Sequence, residues 1–236
     1  MSIEYPKRGL CLIRLPCSPE KDITMQLQQV TSTNASGLNL KAHNELMVAQ
    51  KKELAELMGY ESRNKYEIKS GSSLVAYAAE QGKGFGAALM RQMAGHFRTF
   101  EIHIFDSARK LQLKAVHPFR FFFQRLEVSD AAGNPIGAVQ QKFAIFHKRF
   151  EVTLASGETL AVKSPLWKPW TFEFKKDGRT EALVQKKFSG ALKEMFTDAD
   201  NFQVAFPDAS LSESMRAMIL ASAIFIDLQY FEKKAD

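Results

Sequence analysis

The sequence predicts a mainly β protein, an antiparallel sandwich or barrel with its own hydrophobic C-terminal helix in the core. Short apolar runs with a period of two recur along most of the chain, separated by turn residues. Strand patterns do not alternate with helix patterns, which argues against a nucleotide-binding α/β fold. The chain closes with an almost wholly apolar helical pattern, which favours a helix enclosed by the strands.

Composition supports this fold class. The chain has 236 residues, of which 45% are apolar, so it can bury a sizeable core. Phenylalanine dominates the aromatic residues, 19 against 2 tryptophans, and this residue favours pleated, half-buried surfaces. The net charge of +6 would attract anionic lipid or nucleic acid, and it carries no information about the fold.

Period-two alternation identifies the strands most directly. The apolar positions of four such runs are Phe100, Ile102 and Ile104; Leu111 and Leu113; Phe150, Val152 and Leu154; and Phe172 and Phe174. Turn residues separate the runs, at Gly133-Asn134-Pro135, Ser156-Gly157, Asp177-Gly178 and Ser189-Gly190. Short strands at this spacing are typical of antiparallel sandwiches and barrels.

Two segments are predicted to be helical. Between Glu45 and Met58 apolar residues fall about three and four apart, which predicts an amphipathic helix ended by Gly59. The second helix runs from Met215 to Phe231, with Ser212 and Ser214 as candidate caps.

The apolar stretch of the second helix is too short for an ordinary membrane span, which needs about 20 residues. It is uninterrupted only between the charged residues Arg216 and Asp227. We therefore favour a core helix over residues 212–231, while a bilayer anchor stays open because tilt and snorkelling relax the length rule. The predicted core-facing residues are Met218, Leu220, Ile224, Phe225 and Leu228.

Residues 1–43 are predicted to form a weakly ordered leader ahead of a barrel domain at 44–232, since their composition is that of coil and turn. Arg14 cuts the apolar patch Leu10 to Ile13 short of a secretion signal. The only cysteines, Cys11 and Cys17, offer no disulfide framework, which fits a reducing compartment.

Oxygen donors cluster in the segment Phe196 to Phe202. Asp198, Asp200 and Asn201, with Asp208 further along, are candidate ligands for calcium. The spacing fits a helix–loop–helix calcium loop poorly, because the position that requires glycine holds Gln203. An Asx turn, in which Asp198 and Asn201 bond nearby amides, is the alternative.

No pattern indicates a catalytic site, so we expect a protein that is not an enzyme. The glycine-rich stretch Gly82 to Gly86 lacks the Gly-Lys-Ser/Thr ending of a phosphate loop. The histidines lack metal-binding spacing, and no Gly-x-Ser-x-Gly elbow supplies a nucleophile.

Five segments, in order, resemble the phospholipid scramblase family over residues 44–232. They are Asn64 to Lys69, Gly133 to Gly137, Gly190 to Phe202, Ile224 to Asp227 and Tyr230 to Glu232. The Asp198-Ala199-Asp200-Asn201-Phe202 block is the most specific of them. The resemblance implies a fold related to the tubby C-terminal domain, a closed antiparallel barrel of about twelve strands around a central hydrophobic helix.

The same resemblance implies calcium-dependent, bidirectional movement of phospholipids between leaflets, with calcium near Asp198 and Asp200. Animal scramblases carry acylated cysteine clusters in their loops and a proline-rich leader. This chain has no cysteine after Cys17, and its leader is not rich in proline.

Bulky apolar residues mixed with Arg or Lys stand at the corresponding loops, and we expect them to replace the acyl chains as membrane contacts. The predicted contact residues are Arg120, Phe121, Phe122, Phe123, Arg125, Trp167, Lys168 and Trp170. They lie in two segments, Phe119 to Arg125 and Pro165 to Trp170, and a third segment of the same composition spans Phe85 to Phe97. In the alternative interpretation, the phenylalanines alternate into the barrel core and the tryptophans pack on it.

Taken with these patterns, the resemblance implies an intracellular scramblase-like protein, peripheral or held by a single helix at the cytoplasmic face of the plasma membrane. Its expected partner is an anionic phospholipid membrane. The alternative is an anionic-lipid-binding sensor or adaptor of tubby-like fold without flipping activity. Lys148-Arg149, Lys175-Lys176 and Lys186-Lys187 are candidate phosphate contacts, but no nucleic-acid motif accompanies them, so nucleic acid is not expected. Oligomeric state has no signature in the sequence.

Overall fold

The computed structural model describes residues 37–51, 64–81, 99–187 and 201–231. Over these residues twelve strands form one closed barrel, in which each strand pairs antiparallel with the next along the chain and β12 pairs with β1. The strands are β1 Glu45–Gln50, β2 Lys65–Ser70, β3 Ser73–Glu80, β4 Phe100–Asp106, β5 Leu111–His117, β6 Arg125–Asp130, β7 Pro135–Lys142, β8 Lys148–Leu154, β9 Thr159–Ser164, β10 Thr171–Lys176, β11 Arg179–Lys187 and β12 Asn201–Ala205. The predicted closed antiparallel barrel is confirmed.

The C-terminal helix α1, Glu213–Tyr230, fills the interior of this barrel. Ser212 caps it, because its Oγ accepts a hydrogen bond from the Met215 amide at 3.1 Å. All five predicted core residues are buried, as are the polar residues Arg216 and Asp227 at the two ends of the apolar stretch. None of the helices in the described ranges has the length and hydrophobicity that a membrane-crossing helix requires.

Alternation along the strands explains how the core forms. In β8, for example, Phe150, Val152 and Leu154 are buried while Glu151 and Thr153 are only partly so. Strand after strand presents its apolar residues inward in this way, which builds one continuous core around α1. The four runs predicted from their period-two pattern all lie in strands.

The predicted turns lie where the chain reverses between strands. Asp177 and Gly178 both have positive φ, 49° and 82°, the conformation of the tight two-residue hairpin turn that matches the twist of its strands. Gly133 and Gly157 likewise have positive φ. The fourth predicted turn, Ser189-Gly190, lies outside the described residues.

The predicted amphipathic helix between Glu45 and Met58 is wrong over its described part, because Glu45–Gln50 is strand β1. Leu46 and Val48 are both fully buried, which is the period of a strand. β1 pairs with β2 on one side and with β12 on the other, so it closes the barrel. This long-range pairing determines the structure in place of the local pattern.

A short 3-10 helix, Leu40–Ala42, precedes β1 and packs against the start of α1. Leu38 and Leu40 are buried in the common core. The core therefore includes residues just before the domain boundary predicted at residue 44. Residues 1–36, with both cysteines, lie outside the described part of the chain.

Candidate membrane-contact surface

The topology places alternate connections of the barrel at opposite ends. Because each strand is antiparallel to the next, the described connections from an odd strand to the following even strand lie at one end, which we call the loop end. Three such loops are described, residues 118–124, 143–147 and 165–170. The described connections at the opposite end are turns of two to four residues, 71–72, 107–110, 131–134, 155–158 and 177–178.

Exposed apolar side chains concentrate in the three loops of the loop end. In the described part of the chain, every large hydrophobic residue that is exposed lies in one of them. The set comprises Phe119, Phe121, Phe122, Phe123, Phe143, Ile145, Phe146, Leu166 and Trp167. The most exposed are Trp167 at 82% and Phe122 at 80%. Contiguous exposed apolar patches of this kind mark sites of contact with proteins or membranes.

The structure brings most of the predicted contact residues together at the loop end. Phe121, Phe122 and Phe123 project from the β5–β6 loop beside the exposed Arg120, and the partly exposed Arg125 begins β6. Trp167 and Lys168 are exposed in the β9–β10 loop. The core-packing alternative therefore does not describe these phenylalanines or Trp167. The third predicted segment, Phe85 to Phe97, lies outside the described residues.

Trp170 differs from the other predicted contacts. It is only partly exposed and packs against the core, with its ring 5.1 Å from that of Phe231. The core-packing alternative thus describes Trp170, whose packing on the core anchors the end of the β9–β10 loop. The apolar exposure of this loop comes instead from Leu166 and Trp167, which lie four and three residues earlier.

Polar contacts fix the backbone of the β5–β6 loop while its phenylalanines project outward. The Gln140 amide nitrogen donates to the carbonyl of Phe123 at 2.8 Å, and the backbone amide of Gln124 donates to the side-chain oxygen of Gln141 at 3.0 Å. Phe123 itself has a positive φ of 52°. Rings of Phe119 and Phe121 meet edge to face at 5.0 Å. The apolar tip is therefore held by β7 in a defined conformation.

His117 secures the base of this loop to the barrel core. It is buried, and its Nδ1 donates to the backbone carbonyl of Arg125 at 2.6 Å. The ring lies 4.7 Å from that of Phe100 and 5.6 Å from that of Phe225 on α1. The end of β5 and the start of β6 are thus joined directly beneath the exposed phenylalanines.

Two lysines cover the C-terminal end of α1 at the barrel mouth. The Lys148 ammonium lies 3.8 Å from the ring centre of Tyr230, and that of Lys186 lies 4.3 Å from the ring centre of Phe231. Burial raises the pKa of Tyr230 to about 12, so this phenol is neutral at physiological pH. Cations also suit the negative end of the helix dipole. These lysines add to the positive charge of Arg120 and Lys168 at the loop end.

Sequence reasoning missed the β7–β8 loop. Phe143, Ile145 and Phe146 are each about as exposed as Phe121 or more so, and Lys142 and His147 flank them. The signal was present, since an apolar group flanked by basic residues has the same composition as the two loops that were identified. It was not recognised because the segment adjoins a strand pattern that begins at Lys148.

The predicted calcium ligands do not all converge. Asn201 begins β12 at the loop end, whereas Asp208 follows this strand at the opposite end, where its Oδ1 accepts from the Ser210 amide at 2.7 Å. Asn201 and Ala205 are the two ends of this strand, four residue steps or about 13 Å apart, and Asp208 lies beyond Ala205, so one ion cannot bind both. Asp198 and Asp200 lie outside the described residues. Within the described ranges, no three His, Cys, Asp or Glu side chains are grouped for a metal.

These features define a class of protein: a β-barrel filled by its own C-terminal helix, with apolar and cationic side chains displayed together at one end. The family described as Scramblase matches residues 23–233. Phospholipid scramblase 2 of Bos taurus is 30% identical over 80% of this chain and 69% of its own length. The Homo sapiens protein of the same name is 29% identical over 80% of this chain and 67% of its own length. Phospholipid scramblase 1 of Mus musculus is 29% identical over 80% of this chain and 62% of its own length.

The chain belongs to the scramblase family, as these matches show. The resemblance drawn from the sequence motifs is thereby confirmed. No solved structure is significantly similar to this chain.

Proposed function

We propose that this scramblase-family protein docks its loop end on anionic phospholipid membranes and there mediates or regulates movement of phospholipids between leaflets. One observation carries the proposal: the exposed large hydrophobic residues of the described chain all lie in three loops at one end of the barrel. Arg120 and Lys168 stand beside them, as expected for side chains that meet lipid phosphates.

Burial of these groups favours binding to a bilayer interface. Aromatic rings straddle the boundary between headgroups and acyl chains, and each apolar side chain removed from water contributes about 1.5–3 kcal/mol. Each Lys or Arg near an anionic surface adds about 1 kcal/mol, a contribution that falls with salt. Docking by the loop end accordingly combines an apolar and an electrostatic contribution.

Liposome co-sedimentation tests the docking surface. A Phe122→Ser, Trp167→Ser double variant should lose most of its binding to vesicles that contain phosphatidylserine. A matched control, Phe122→Leu with Trp167→Phe, changes the same positions but keeps them apolar, and should bind like the wild type. Equal binding by the folded Ser variant would refute docking through these loops.

A second candidate function is a sensor or adaptor that binds anionic lipid without moving it. It is favoured by the filling of the barrel interior, since α1 is buried and apolar along most of its length. A headgroup that crosses hydrocarbon needs a polar path. Reconstitution in vesicles with a fluorescent lipid distinguishes the candidates: exchange between leaflets supports the first, and binding without exchange supports the second. Both functions proceed without covalent chemistry.

For calcium, we propose a site restricted to the segment 198–201, without Asp208. Carboxylate and amide oxygens in this segment have the chemistry that calcium requires. Calorimetric titration with calcium should show binding that Asp198→Asn with Asp200→Asn abolishes and Asp208→Asn leaves unchanged. Binding that survives the double variant would refute this ligand set.

The proposed location is the cytoplasmic face of the plasma membrane. Anionic lipids are concentrated in that leaflet, which suits the net charge of +6. A fluorescent fusion should label the plasma membrane and should redistribute to the cytosol when Phe122 and Trp167 are both replaced by Ser. A uniform cytosolic signal from the wild type would argue against this location.

A further inference from the structure

A groove of about 690 Å³ lies on the outer face of β6, β7 and β8, beginning directly beside the β5–β6 and β7–β8 loops. We call the end of the groove nearest the loop end its upper end; it is lined by Arg125, Gln140, Lys142 and Glu151. Near the lower end lie Ser129 and Gly133. Its volume is in the range of small-molecule sites. The groove therefore connects the proposed membrane surface with the side of the barrel.

The middle of β7 creates the groove. Gly137 faces inward, where a Cβ would lie 2.4 Å from the backbone oxygen of Thr153 and 3.2 Å from Sδ of Met218, so β7 lies too close to β8 and α1 for any side chain. The next residue, Ala138, faces outward and has only a methyl group. The long side chains of neighbouring positions consequently surround a small-residue floor.

The upper end of the groove carries two positive and two negative groups. Arg125 Nε pairs with Glu127 at 2.8 Å, and the Lys142 ammonium pairs with Glu151 at 2.7 Å. These side chains are a third to a half exposed, so their ion pairs contribute little to stability and exchange partners at low cost. The Arg125 guanidinium is also 3.4 Å from the side-chain oxygen of Gln140.

We infer that this groove binds the zwitterionic headgroup of a phospholipid, a phosphodiester joined to an ammonium group. The phosphodiester replaces the carboxylates as partner of Arg125 and Lys142, since guanidinium and ammonium groups both bind phosphate. The ammonium group then binds Glu127 or Glu151. All four charges keep opposite partners, whereas a simple anion would leave two carboxylates beside it.

This inference rests on the proposed function, because docking by the loops is what brings a headgroup to the upper end of the groove. The lipid would be one whose acyl chains stay between the apolar loops while its headgroup leaves the bilayer plane along β7. The balance of charge in the groove also assigns it a different ligand from the loop end, which attracts anionic lipid by its excess of cations.

Soluble headgroup probes test the groove without a membrane. Dihexanoylphosphatidylethanolamine below its micelle concentration should bind the wild type and shift the amide resonances of Ala138 and Thr153. Dihexanoylphosphatidylglycerol and inorganic phosphate should each bind about tenfold more weakly. Equal affinity for inorganic phosphate would overturn the inference and leave only a generic anion site.

Two variants with a matched control complete the test. Ala138→Phe fills the groove and should reduce binding of the ethanolamine lipid by about tenfold. Ala49→Phe places the same ring on the outer face of β1, on the far side of the barrel, and should bind normally. Glu127→Gln with Glu151→Gln should remove the preference for the ethanolamine lipid over the glycerol lipid. Retained preference would overturn the assignment of the two carboxylates.

Failure of the inference is distinguishable from failure of the proposed function. Phe122→Ser with Trp167→Ser should lose vesicle binding and keep the soluble headgroup probe. Vesicle binding without any headgroup binding by the wild type would refute the groove and leave the docking surface intact. Headgroup binding by a wild type that ignores vesicles would refute the docking surface.

Discussion

At the residue scale, a buried hydrogen bond links the barrel wall to the central helix. The hydroxyl of Tyr66 on β2 donates to Oδ2 of Asp227 on α1 at 2.8 Å, and both residues are almost wholly buried. A buried carboxylate requires such donors, since its desolvation is costly without them. This bond therefore fixes the orientation of the last turns of α1.

Tyr66→Phe should lower the free energy of unfolding by roughly 1–3 kcal/mol, because it removes a donor from a buried carboxylate without changing the packing volume. Denaturant unfolding followed by circular dichroism measures the change. Tyr77→Phe is the matched control, since Tyr77 faces outward on β3 and its loss of a hydroxyl should change stability by less than about 0.5 kcal/mol. Equal effects of the two substitutions would contradict the role of the buried bond.

A carboxyl pair near the turn between β10 and β11 makes stability depend on pH. The hydrogen bond to Asp208, followed by burial, raises the pKa of Glu181. The same bond, together with those from Ser210, lowers the pKa of Asp208 to about 2. In the folded protein Glu181 therefore keeps its proton to higher pH than a free glutamate, because as a neutral carboxyl it donates to the ionised Asp208.

The sign of the effect follows from linkage. A raised pKa in the folded state means that the contribution of Glu181 is full below its unfolded pKa and is lost as pH rises through its folded pKa. Glu181→Gln keeps a neutral donor at every pH. Its melting temperature should match the wild type near pH 4 and exceed it by about 1–3 °C at pH 7.5. Glu173→Gln, which breaks a partly exposed ion pair with Lys175, should show no such gain.

At the scale of elements, the first turn of α1 holds the segment that precedes β1. The Glu213 carboxylate accepts from the backbone amides of Leu40 and Lys41 at 2.7 and 2.9 Å. The buried guanidinium of Arg216 donates to the carbonyls of Leu40, His43 and Asp208 at 3.2, 2.6 and 3.3 Å. The beginning of the barrel is thus joined to the beginning of its central helix.

Glu213→Ala should accelerate hydrogen exchange at the Leu40 and Lys41 amides, because both lose their acceptor. Ser212→Ala, one residue earlier, removes the helix cap and should accelerate exchange at Met215 instead, at a cost of about 1 kcal/mol in stability. Mass spectrometry of fragments from either region separates the two effects. Protection of Leu40 and Lys41 that survives in Glu213→Ala would contradict the link.

The elements also show where a sequence pattern is sufficient. Phe150, Val152 and Leu154 identify a strand because their period of two has no helical interpretation. Leu46 and Val48 share that period, but charged and apolar residues further along the segment also fit a helix. The pairing of β1 with β2, and with β12 far along the chain, resolves the choice. Local patterns cannot contain a contact of that range.

At the scale of the whole molecule, the barrel and its central helix were predictable, and the assembly of the surface was predictable only in part. Phe122 and Trp167 were identified by composition and lie together at the loop end. Ile145 and Phe146 were missed because their segment adjoins the strand pattern that begins at Lys148, and the strand order places their loop between the other two. The separation of Asn201 from Asp208 likewise depends on the position of β12. These two residues are close in the sequence, yet β12 places them at opposite ends of the barrel.

The two tryptophans of the chain report how the whole barrel meets a membrane. Trp167 is 82% exposed at the loop end, whereas Trp170 packs on Phe231 beneath it. In vesicles with brominated acyl chains, the Trp170→Phe variant, which retains Trp167, should shift its emission to shorter wavelength and be strongly quenched. The Trp167→Phe variant, which retains Trp170, should change little, because this ring is already packed in the protein. High salt should weaken the binding of both variants, because it screens the attraction between the cations of the loop end and anionic lipid. The opposite order of quenching would mean that the barrel approaches the bilayer by another face.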